Sequence, residues 1–482
     1  MAHIGQHLTT FAKGTPDKPA LKFGDRILSW KELVQKVTVA EDQIRHRSDR
    51  GNRIGLCLSD PVDLLICFLA CTRLGRIAMV FDPEWPRAQL ETVCGVTSPD
   101  FLITDPIVRS FDRQDPLVIR PGAAVETPPP CETDPFYVGF TSGSTGVPKG
   151  YLRNQGSWLE SFHLSDVEFG MVPAARVVLA GKLVHSLHLY GAVYGLERGQ
   201  EVVLLPQFDP KKLLREISGS PDGAILYATP TQVHYLAETA ERHGTVDTLK
   251  QVLVSGAKWS DADRRVLGAL FPATDLYEFY GASETSFVTV HGPHDPVPAG
   301  SVGAAANGVE IAIGAPEAPE PPGKDGPIWV RSALLFSGYV SGKSDDTRWQ
   351  DGWLTFGDHG HLDDNGYLFV TGRTNRMVIT SGLNVYPEEV EAVLTGNPDV
   401  AQAVVLGVSD PVRGQVLEAV VVLAREEANE GDLLTYCKER LAPGKVPRRF
   451  HFRKTLPLTA GGKSNIQKIK AELHRNGSSA QT

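Results

Sequence analysis

The stretch that decides the fold is Tyr137–Gly150, YVGFTSGSTGVPKG. The apolar run Phe136–Phe140 predicts a strand, and the Thr, Ser and Gly residues after it predict a loop that ends in Pro148-Lys149-Gly150. Glycines let backbone N–H groups come close to a phosphate, hydroxyl groups add donors and a lysine adds positive charge. The stretch therefore predicts a strand followed by a loop that could hold a triphosphate.

This loop is not the phosphate loop of the common nucleoside triphosphatases. Their pattern is GxxxxGK[ST], whereas Lys149 is followed by Gly150 and not by a Ser or Thr that would begin a helix. A run of Ser, Thr and Gly is also typical of an exposed, flexible turn. The stretch alone therefore leaves two interpretations open, a phosphate-binding loop and a surface turn.

Composition argues against several other classes of protein. The chain has 482 residues and a net charge of −9 without a long basic block, so we expect no nucleic-acid partner. Its six cysteines lack paired metal-ligand spacings, and its first residues, MAHIGQHLTTFAKG, lack the order of a secretory signal, which together predict a cytoplasmic protein. The apolar stretch Asp63–Phe81 is interrupted by Thr72-Arg73 and Arg76, so we expect a buried helix that runs into a strand, and no membrane span.

Short apolar runs alternate with longer amphipathic stretches along most of the chain. The apolar runs predict strands at Arg53–Leu58, Ile77–Phe81, Glu201–Leu205, Ala224–Tyr227 and Gln251–Val254. Helical patterns fall between the strands, for example at Asp209–Ile217 and Gln232–Arg242. Alternation of this kind predicts an α/β fold with layered, largely parallel sheets.

A domain boundary is predicted just after Arg373, because the residues beyond it have a pattern of their own. They predict a helix at Pro387–Leu394, strands at Ala401–Val408 and Glu418–Leu423, and a helix at Leu433–Leu441. The two predicted domains are residues 1–374 and 375–482. Ala315–Gly326 is rich in Pro, Gly and charge and predicts an exposed connection near a strand pair, and the final RNGSSAQT is expected to fray.

TSGSTGVPKG resembles the signature loop of the adenylate-forming superfamily of acyl-CoA synthetases, luciferases and nonribosomal-peptide adenylation domains. Other segments resemble motifs of that superfamily and occur in the superfamily's order. They are FYGASET at Phe279–Thr285, GWLTFGD at Gly352–Asp358, the pair Gly372-Arg373, GLNVYPEEVE at Gly382–Glu391 and LPLTAGGK at Leu456–Lys463. The resemblance spans nearly the whole chain, so the loop is interpreted as the phosphate-binding loop of this superfamily.

The resemblance implies a fold and a set of small molecules. The superfamily's fold has a large N-terminal part of layered α/β subdomains, made of parallel sheets and a small β-barrel-like region. A small, mobile C-terminal α+β lid rotates between two half-reactions. Residues 1–374 would then bind ATP and an acid, and residues 375–482 would form the lid. ATP, Mg²⁺ and the co-substrate coenzyme A are the implied ligands.

The resemblance also assigns residues to the nucleotide. The β- and γ-phosphates are expected to contact the loop residues Thr141, Ser142, Gly143, Ser144, Thr145, Gly146 and Lys149. Tyr280 is expected to stack on the adenine. Gly256 and Ala257, in VSGAKW, resemble the backbone turn beside that base.

Further expected contacts come from neighbouring motifs. Gly281 and Ser283 follow the adenine-stacking tyrosine and are expected at the nucleotide, Glu284 is expected to hold the magnesium ion, and Asp358 is expected to accept hydrogen bonds from the ribose with Arg373 close by. Taken singly, these residues have plainer interpretations: a solvated carboxylate for Glu284, a turn former for Asp358 and a surface ion pair for Arg373. Their order beside the glycine-rich loop favours the nucleotide site.

Two more residues are expected to act on the acid. Lys463 matches the superfamily's lysine that reaches from the lid to bridge the acid's carboxylate and the α-phosphate; its alternative is a solvated lysine on a tail. His185, in KLVHSLHLYG, matches the histidine at the wall of the acyl pocket; a packed core histidine is its alternative. A metal site made with His188 lacks an evident third ligand.

Four positions depart from the superfamily's pattern. Asn375 stands where an Asp or Lys commonly forms the rotation hinge, and Ile379 replaces a frequent lysine. Ile466 replaces an arginine found in many relatives after the lid lysine, and Phe356 replaces a small residue before Gly357-Asp358. None of these changes removes the core chemistry, but they weaken expectations about the hinge and about the thiol.

The implied activity is that of an ATP-dependent, AMP-forming acid–thiol ligase acting on a small carboxylic acid and coenzyme A. GLNVYPEEVE looks more like stand-alone acyl-CoA synthetases than peptide-synthetase domains, and the region around His185 lacks an acidic residue that would pair with an α-ammonium group. One alternative is a stand-alone enzyme that loads a separate acyl carrier protein or an amine. Another is a non-catalytic nucleotide-binding regulator, against which Glu284 and Lys463 argue.

Overall fold

The computed structural model describes residues 2–48, 51–105, 129–141, 148–173, 175–256, 259, 261–342, 346–380, 383–410, 414–425, 428–458 and 464–478. Within these residues, helices and two large mixed sheets form layers, a third sheet lies beside them, and a small sheet with its own helices follows at the C-terminal end. The predicted α/β fold class is confirmed.

The first large sheet has a parallel centre and antiparallel edges. In spatial order its described strands are Ala304–Ala305 (β14), Ser286–His291 (β13), Asp275–Ala282 (β12), Leu249–Val254 (β11), Ala224–Ala228 (β10), Arg176–Leu179 (β8), Val202–Leu204 (β9), Pro19–Phe23 (β1) and Arg26–Ser29 (β2). Every residue of β10 is buried, which explains its continuous apolar sequence, since a central parallel strand is covered on both faces.

The second large sheet contains the strand that leads into the predicted phosphate-binding loop. In spatial order its described strands are Gly338–Ser341 (β18), Lys149–Asn154 (β7), Pro135–Thr141 (β6), Ile77–Val80 (β4), Arg53–Cys57 (β3) and Phe101–Thr104 (β5). The strands β6, β4, β3 and β5 are parallel, whereas β7 and β18 are antiparallel to their neighbours. The loop therefore connects two adjacent antiparallel strands, β6 and β7.

Helices cover the sheets in layers. The described N-terminal helices are Leu8–Gly14 (α1), Trp30–Arg45 (α2), Pro61–Arg73 (α3), Arg87–Thr97 (α4), Gln155–Glu168 (α5), Ser186–Glu197 (α6), Pro210–Ser218 (α7), Pro230–His243 (α8) and Asp261–Leu270 (α9). Helices α3, α5 and α6 pack in one core with residues of both sheets, whereas α7 and α8, with Leu267 of α9, pack on the other face of the first sheet. This core places α6, which starts directly after His185, between the two sheets.

The third sheet is antiparallel throughout its described strands. Its described strands are Ala318–Pro319 (β16), Glu310–Ala315 (β15), Gly326–Arg331 (β17), Trp353–Leu362 (β20), Thr347–Gln350 (β19) and Leu368–Arg373 (β21). The predicted connection Ala315–Gly326 joins β15 to β17 and carries only the short strand β16.

The C-terminal part has its own sheet and core. Its described strands are Leu383–Val385 (β23), Val378–Thr380 (β22), Gly414–Leu423 (β25), Val400–Asp410 (β24) and Arg449–Arg453 (β26), and its helices are Pro387–Thr395 (α10), Glu430–Arg440 (α11) and Ile466–Ser478 (α12). Short 3₁₀ turns lie at Thr374–Arg376 and Pro443–Lys445. Helices α10 and α11 pack on the sheet around Val390 and Leu433.

Most predicted elements are found, with shifted ends. The helix predicted at Gln232–Arg242 begins earlier, because Thr229 and Gln232 form a capping box and Pro230 suits the first turn. Helix α12 continues through Ser478, so the expected fraying of RNGSSAQT is wrong for its first residues. Ile469 is buried there, and this contact anchors the helix on the C-terminal sheet. Across the described residues, no helix is both long and apolar enough to cross a bilayer.

Candidate active site

The two flanks of the phosphate-binding loop lie at one end of the second sheet. Thr141, the last residue of β6, is paired with Lys149, the first residue of β7. The ammonium group of Lys149 is 6.0 Å from the ring centre of Tyr339, on the neighbouring strand β18. The predicted loop residues Ser142, Gly143, Ser144, Thr145 and Gly146 lie outside the described residues.

Glu284 lies in the tight turn between β12 and β13. In this turn the Thr285 hydroxyl accepts a hydrogen bond from the Ala282 N–H at 2.9 Å. Gly281 stands at a bulge where a β-carbon would be 1.8 Å from the Ser286 carbonyl oxygen, so only glycine fits there. The turn therefore fixes the backbone at Glu284.

The Glu284 side chain is only 8% exposed. The hydroxyl of Tyr339 donates a hydrogen bond to its Oε1 at 2.8 Å, and burial together with the Glu284 charge raises the pKa of that tyrosine. Among the described residues, no lysine, arginine or histidine lies within ion-pair distance of Glu284. None of the sequence motifs pointed to Tyr339, which comes from a strand far along the chain.

The histidine assigned to the acyl pocket lies close to this turn. His185 is the residue before helix α6, and the next residue, Ser186, exchanges a hydrogen bond of 2.9 Å with the Ser283 hydroxyl. His188, one turn further, is 3% exposed, and burial lowers its pKa to about 3. Its ring therefore packs as a neutral group. Ser283 joins the turn of Glu284 to the start of α6.

A second cluster joins the first sheet to the third. The Tyr280 hydroxyl donates a hydrogen bond to Oδ2 of Asp358 at 2.6 Å. The Nε atom of Arg373 lies 2.7 Å from Oδ1 of Asp358 and forms an ion pair with it, but the angles of this contact are not those of a hydrogen bond. Asp358 and Arg373 are paired across β20 and β21. Burial and the Asp358 charge raise the pKa of Tyr280, and the same charge raises the pKa of Arg373.

This cluster bears on the predicted ribose contact. The Asp358 side chain is 3% exposed and that of Arg373 is 54% exposed, so the arginine faces solvent while the carboxylate lies beneath it. Both Asp358 oxygens already have neighbours, but a carboxylate offers about four acceptor sites. Phe356, one of the departures, packs near the same tyrosine, with its ring centre 6.4 Å from that of Tyr280.

The segment predicted to lie beside adenine follows strand β11. The last pair of the β11–β12 register is Val254 with Glu278, so Gly256 lies two residues beyond the end of this pairing, on the side of the sheet towards which β12 continues to Tyr280. Gly256 has a φ of +97°, which glycine adopts without strain. Ala257 lies outside the described residues.

A buried carboxylate holds this segment, although no motif pointed to it. Glu278 accepts a hydrogen bond from the Trp259 N–H at 3.0 Å and forms an ion pair of 3.1 Å with Arg264. The Arg264 guanidinium also lies 4.8 Å from the Trp259 ring centre. Glu278 therefore connects the end of β11 to helix α9.

The C-terminal part meets the N-terminal part beside Asp358. Tyr386, just before helix α10, exchanges a hydrogen bond of 2.7 Å with Nδ1 of His359, and its side chain packs on Gly372, where a β-carbon would be 2.5 Å from Cβ of the tyrosine. Lys463 lies outside the described residues, and Leu458 and Ser464 on either side of its segment form an isolated antiparallel bridge.

The residues present suit magnesium that is shared with a nucleotide. Among the described residues, no three His, Cys, Asp or Glu side chains come together as a metal-binding group. Magnesium is usually held by one or two carboxylates together with substrate phosphates. Glu284, a buried carboxylate close to Tyr339 and to the flank of the phosphate-binding loop, fits that arrangement.

Comparison with known proteins gives the same family from sequence and from structure. The family model described as AMP-binding enzyme matches residues 8–340, and the model of the AMP-binding enzyme C-terminal domain matches residues 389–463. The Bacillus subtilis protein YhfT, named an uncharacterized acyl–CoA ligase, is 32% identical over 477 residues, which cover 96% of this chain and 97% of that protein.

Two further relatives cover almost the full length. The 2-succinylbenzoate–CoA ligase of Bacillus licheniformis is 28% identical over 95% of this chain and 98% of its own. The structure of O-succinylbenzoate coenzyme A synthetase (MenE) from Bacillus subtilis, in complex with ATP and a magnesium ion, matches with a TM-score of 0.84 and 26% identity over 97% of this chain and 99% of that chain. The resemblance noted in the motifs is thereby confirmed: the chain belongs to the family of AMP-binding enzymes.

Proposed function

We propose that this protein is an AMP-forming acid–CoA ligase. A carboxylate would attack the α-phosphate of ATP to give an acyl-adenylate and pyrophosphate, and the thiolate of coenzyme A would then attack the acyl carbon with release of AMP. The carrying observation is that Tyr339 lies between Lys149 and Glu284, and that the turn of Glu284 directly follows the strand that carries Tyr280, whose hydroxyl bonds to Asp358 beside Arg373. The names of its relatives, acyl–CoA ligase and 2-succinylbenzoate–CoA ligase, support the same reaction.

We assign the nucleotide to these clusters as follows. Adenine would lie between Tyr280 and the turn at Gly256, and the ribose hydroxyls would bond to Asp358 with Arg373 above it. This assignment is supported by the parallel pairing of β11 with β12, after which Gly256 follows one strand while Tyr280 continues the other, and by the buried Asp358 carboxylate that bonds to Tyr280. Gly281 would leave space for the backbone to come close to the nucleotide.

The triphosphate and magnesium would lie between the predicted phosphate-binding loop and the turn of Glu284. Lys149 would contact the phosphates together with the loop residues from Thr141 to Gly146, and Glu284 would hold magnesium. Bound magnesium offsets the phosphate charge and so makes the α-phosphate easier to attack. Tyr339 would keep Glu284 aimed at the phosphates, in agreement with its hydrogen bond to Oε1.

The acid would lie between His185 and the α-phosphate. Ser186 and Ser283 join these two regions, so that a carboxylate held near His185 would lie next to the magnesium side of the site. Lys463 would bridge the carboxylate and the α-phosphate during adenylation and stabilise the charge that develops there.

We further propose that the C-terminal domain, residues 375–482, moves between the two half-reactions relative to residues 1–374. Strand β21 of the third sheet ends at Arg373 and strand β22 of the C-terminal sheet begins at Val378, which supports a hinge between them. A cytoplasmic location and a separate acyl carrier protein as an alternative acceptor remain predictions from the sequence.

The decisive experiment is pyrophosphate exchange into ATP, measured over a panel of aliphatic and aromatic acids. We expect one class of acid to support exchange that depends on magnesium, followed by thioester formation with coenzyme A. If pyrophosphate exchange occurs and the acyl group is transferred to a holo-carrier protein but not to coenzyme A, the acceptor is the carrier protein. Absence of exchange with every acid would contradict the ligase and favour a nucleotide-binding regulator.

A further inference from the structure

Arg153 is a buried arginine that none of the motifs includes. It lies on strand β7, four residues after Lys149, and is 1% exposed. Arginine is almost never buried this completely unless its charge is satisfied by partners. Because it lies on the strand that follows the predicted phosphate-binding loop, its contacts with the turn of Glu284 connect that strand to the first sheet.

Its guanidinium group holds both ends of the turn that carries Glu284. One terminal nitrogen donates to the Ser283 carbonyl oxygen at 3.2 Å, and the other donates to the Ser286 hydroxyl at 2.7 Å. Ser286 has a φ of +58°, a left-handed conformation that serine seldom adopts and that needs support from its surroundings. Arg153 supplies that support from a neighbouring sheet.

A second feature of Arg153 is how its buried charge is balanced. Among the described residues, no carboxylate lies within ion-pair distance of the guanidinium, and its Nε has no hydrogen-bond partner there. Burial lowers the pKa of Arg153 to about 10, which still leaves it charged at neutral pH, and Glu284 is among the groups that oppose this shift.

This arrangement balances Glu284 without blocking it. A salt bridge in direct contact would occupy the carboxylate oxygens that a metal ion needs. Arg153 instead bonds to Ser283 and Ser286, which flank Glu284 and Thr285, and among the described residues the oxygen Oε1 receives a hydrogen bond only from the neutral hydroxyl of Tyr339. A nearby positive charge stabilises the buried carboxylate while it is free.

We propose that Arg153 is a positioning residue for magnesium–ATP, which fixes the turn of Glu284 and balances the charge of that carboxylate before the nucleotide binds. The inference rests on the proposed function, because it concerns the use of magnesium at that site. It extends the site to a residue on β7 that touches neither nucleotide nor acid.

The test compares Arg153→Met and Arg153→Lys with a control, Arg76→Met. Arg76 is 2% exposed and bonds to the carbonyl oxygens of Leu74 and Ser48, so the control removes an equally buried arginine whose hydrogen bonds to these residues lie away from the turn. The readout is ATP binding measured by calorimetry without acid, at several magnesium concentrations and with the metal removed by chelation. Thermal unfolding of each variant reports the structural effect separately.

We expect Arg153→Met to weaken magnesium-dependent ATP binding about tenfold and to leave binding of metal-free AMP within about twofold. Arg153→Lys should give an intermediate loss, because lysine keeps the charge but cannot hold two acceptors in the planar geometry of a guanidinium. Arg76→Met should lower the unfolding temperature and leave the magnesium dependence unchanged.

A second comparison separates positioning from general destabilisation. If Arg153 acts through Glu284, adding Arg153→Lys to Glu284→Gln should cause little further loss of magnesium-dependent binding. Losses that add in full, or equal losses of metal-free AMP and magnesium–ATP, would overturn the proposal. If Arg153→Met does not fold, the lysine variant alone decides between these outcomes. Failure of the ligase function would be recognised separately, as absence of pyrophosphate exchange by the unaltered protein.

Discussion

The N-terminal and C-terminal parts of this protein contribute to the candidate site in different ways. In the N-terminal part, Glu284 and Asp358 are buried, and each accepts a hydrogen bond from a tyrosine on another strand. The C-terminal part meets this region at its surface, where Tyr386 packs on Gly372 and bonds to His359. The buried groups of the candidate site are therefore fixed by the fold of the N-terminal part (the fixed half), whereas the C-terminal part, which we propose to move (the moving half), touches this region through a contact that includes Tyr386.

This difference suggests a division of labour. Groups that bind the nucleotide must keep their geometry in both half-reactions, so they belong in packed sheets. A group needed in only one half-reaction can be placed on a domain that moves, provided that the contact between the domains can be broken cheaply. Substitutions can show whether the functions of the fixed half and of the moving half are impaired separately.

The largest effect is expected from the moving half. Lys463→Ala should slow adenylation about a hundredfold or more, because the developing charge at the α-phosphate loses its partner. Thioester formation from a supplied acyl-adenylate should be largely spared, since the domain is expected to have turned by then. Lys454→Ala, which alters an exposed lysine of the same domain, serves as the control. Comparable losses in both half-reactions would contradict the exchange of lid positions.

The next effect tests the fixed half. Glu284→Gln keeps the size of the side chain but removes the charge that would hold magnesium, and we expect adenylation at limiting magnesium to fall about tenfold or more. The fold should survive, because glutamine can still accept the hydrogen bond from Tyr339. Glu310→Gln, at a strand far from the site, is the matched control. Wild-type adenylation by the Glu284 variant at limiting magnesium would remove this residue from the metal site.

The sequence was sufficient for the class of fold and for the family. The short apolar runs in the sequence predicted strands such as Ala224–Ala228, because a buried parallel strand is apolar throughout. The motifs singled out Glu284 and Asp358, because tight turns and phosphate-binding loops require particular residues at particular spacings, and the roles of these two residues stay predictions. These features are local, and local patterns can be read along the chain.

The supporting partners could not be predicted in this way. Tyr339 reaches Glu284 from a strand 55 positions along the chain, and Arg153 reaches Ser283 across 130 positions. Such pairs depend on which strands become neighbours, and strand order is decided by the packing of the whole domain. The residues next to Arg153 along the chain, Leu152 and Asn154, also gave no hint that its charge would be buried at a turn.

A smaller effect is expected from the ribose end of the fixed half. Asp358→Asn removes the charge that pairs with Arg373 and weakens the hydrogen bond from Tyr280, and bonds to charged groups are worth about 1.5–3 kcal/mol. The KM for ATP should therefore rise about tenfold, whereas its dependence on magnesium should not change. Asp363→Asn, in a nearby turn, is the control. A changed magnesium dependence would mean that the two clusters are not separate parts of the site.

The smallest effect is expected where the two parts meet. Tyr386→Phe removes the hydroxyl that bonds to Nδ1 of His359, and a neutral hydrogen bond of this kind contributes about 1 kcal/mol, or a factor of about five. The contact in this structure should weaken by that factor, so the ratio of the two half-reaction rates should change by about fivefold or less while the KM for ATP stays constant.

The pH dependence of the same contact provides an independent check. Burial lowers the pKa of His359 below its ordinary value, so the contact favours the neutral ring. In the neutral ring Nδ1 can accept a hydrogen bond from the Tyr386 hydroxyl. The contact is therefore fully favourable above the ordinary histidine pKa of about 6.5 and is lost as the pH falls through the lowered value. Acidification of the unaltered protein should shift the ratio of half-reaction rates in the same direction as Tyr386→Phe does at neutral pH, and should shift it less in the variant. If the ratio in both proteins changes equally with pH, His359 does not control the contact, and the junction must be held by other residues.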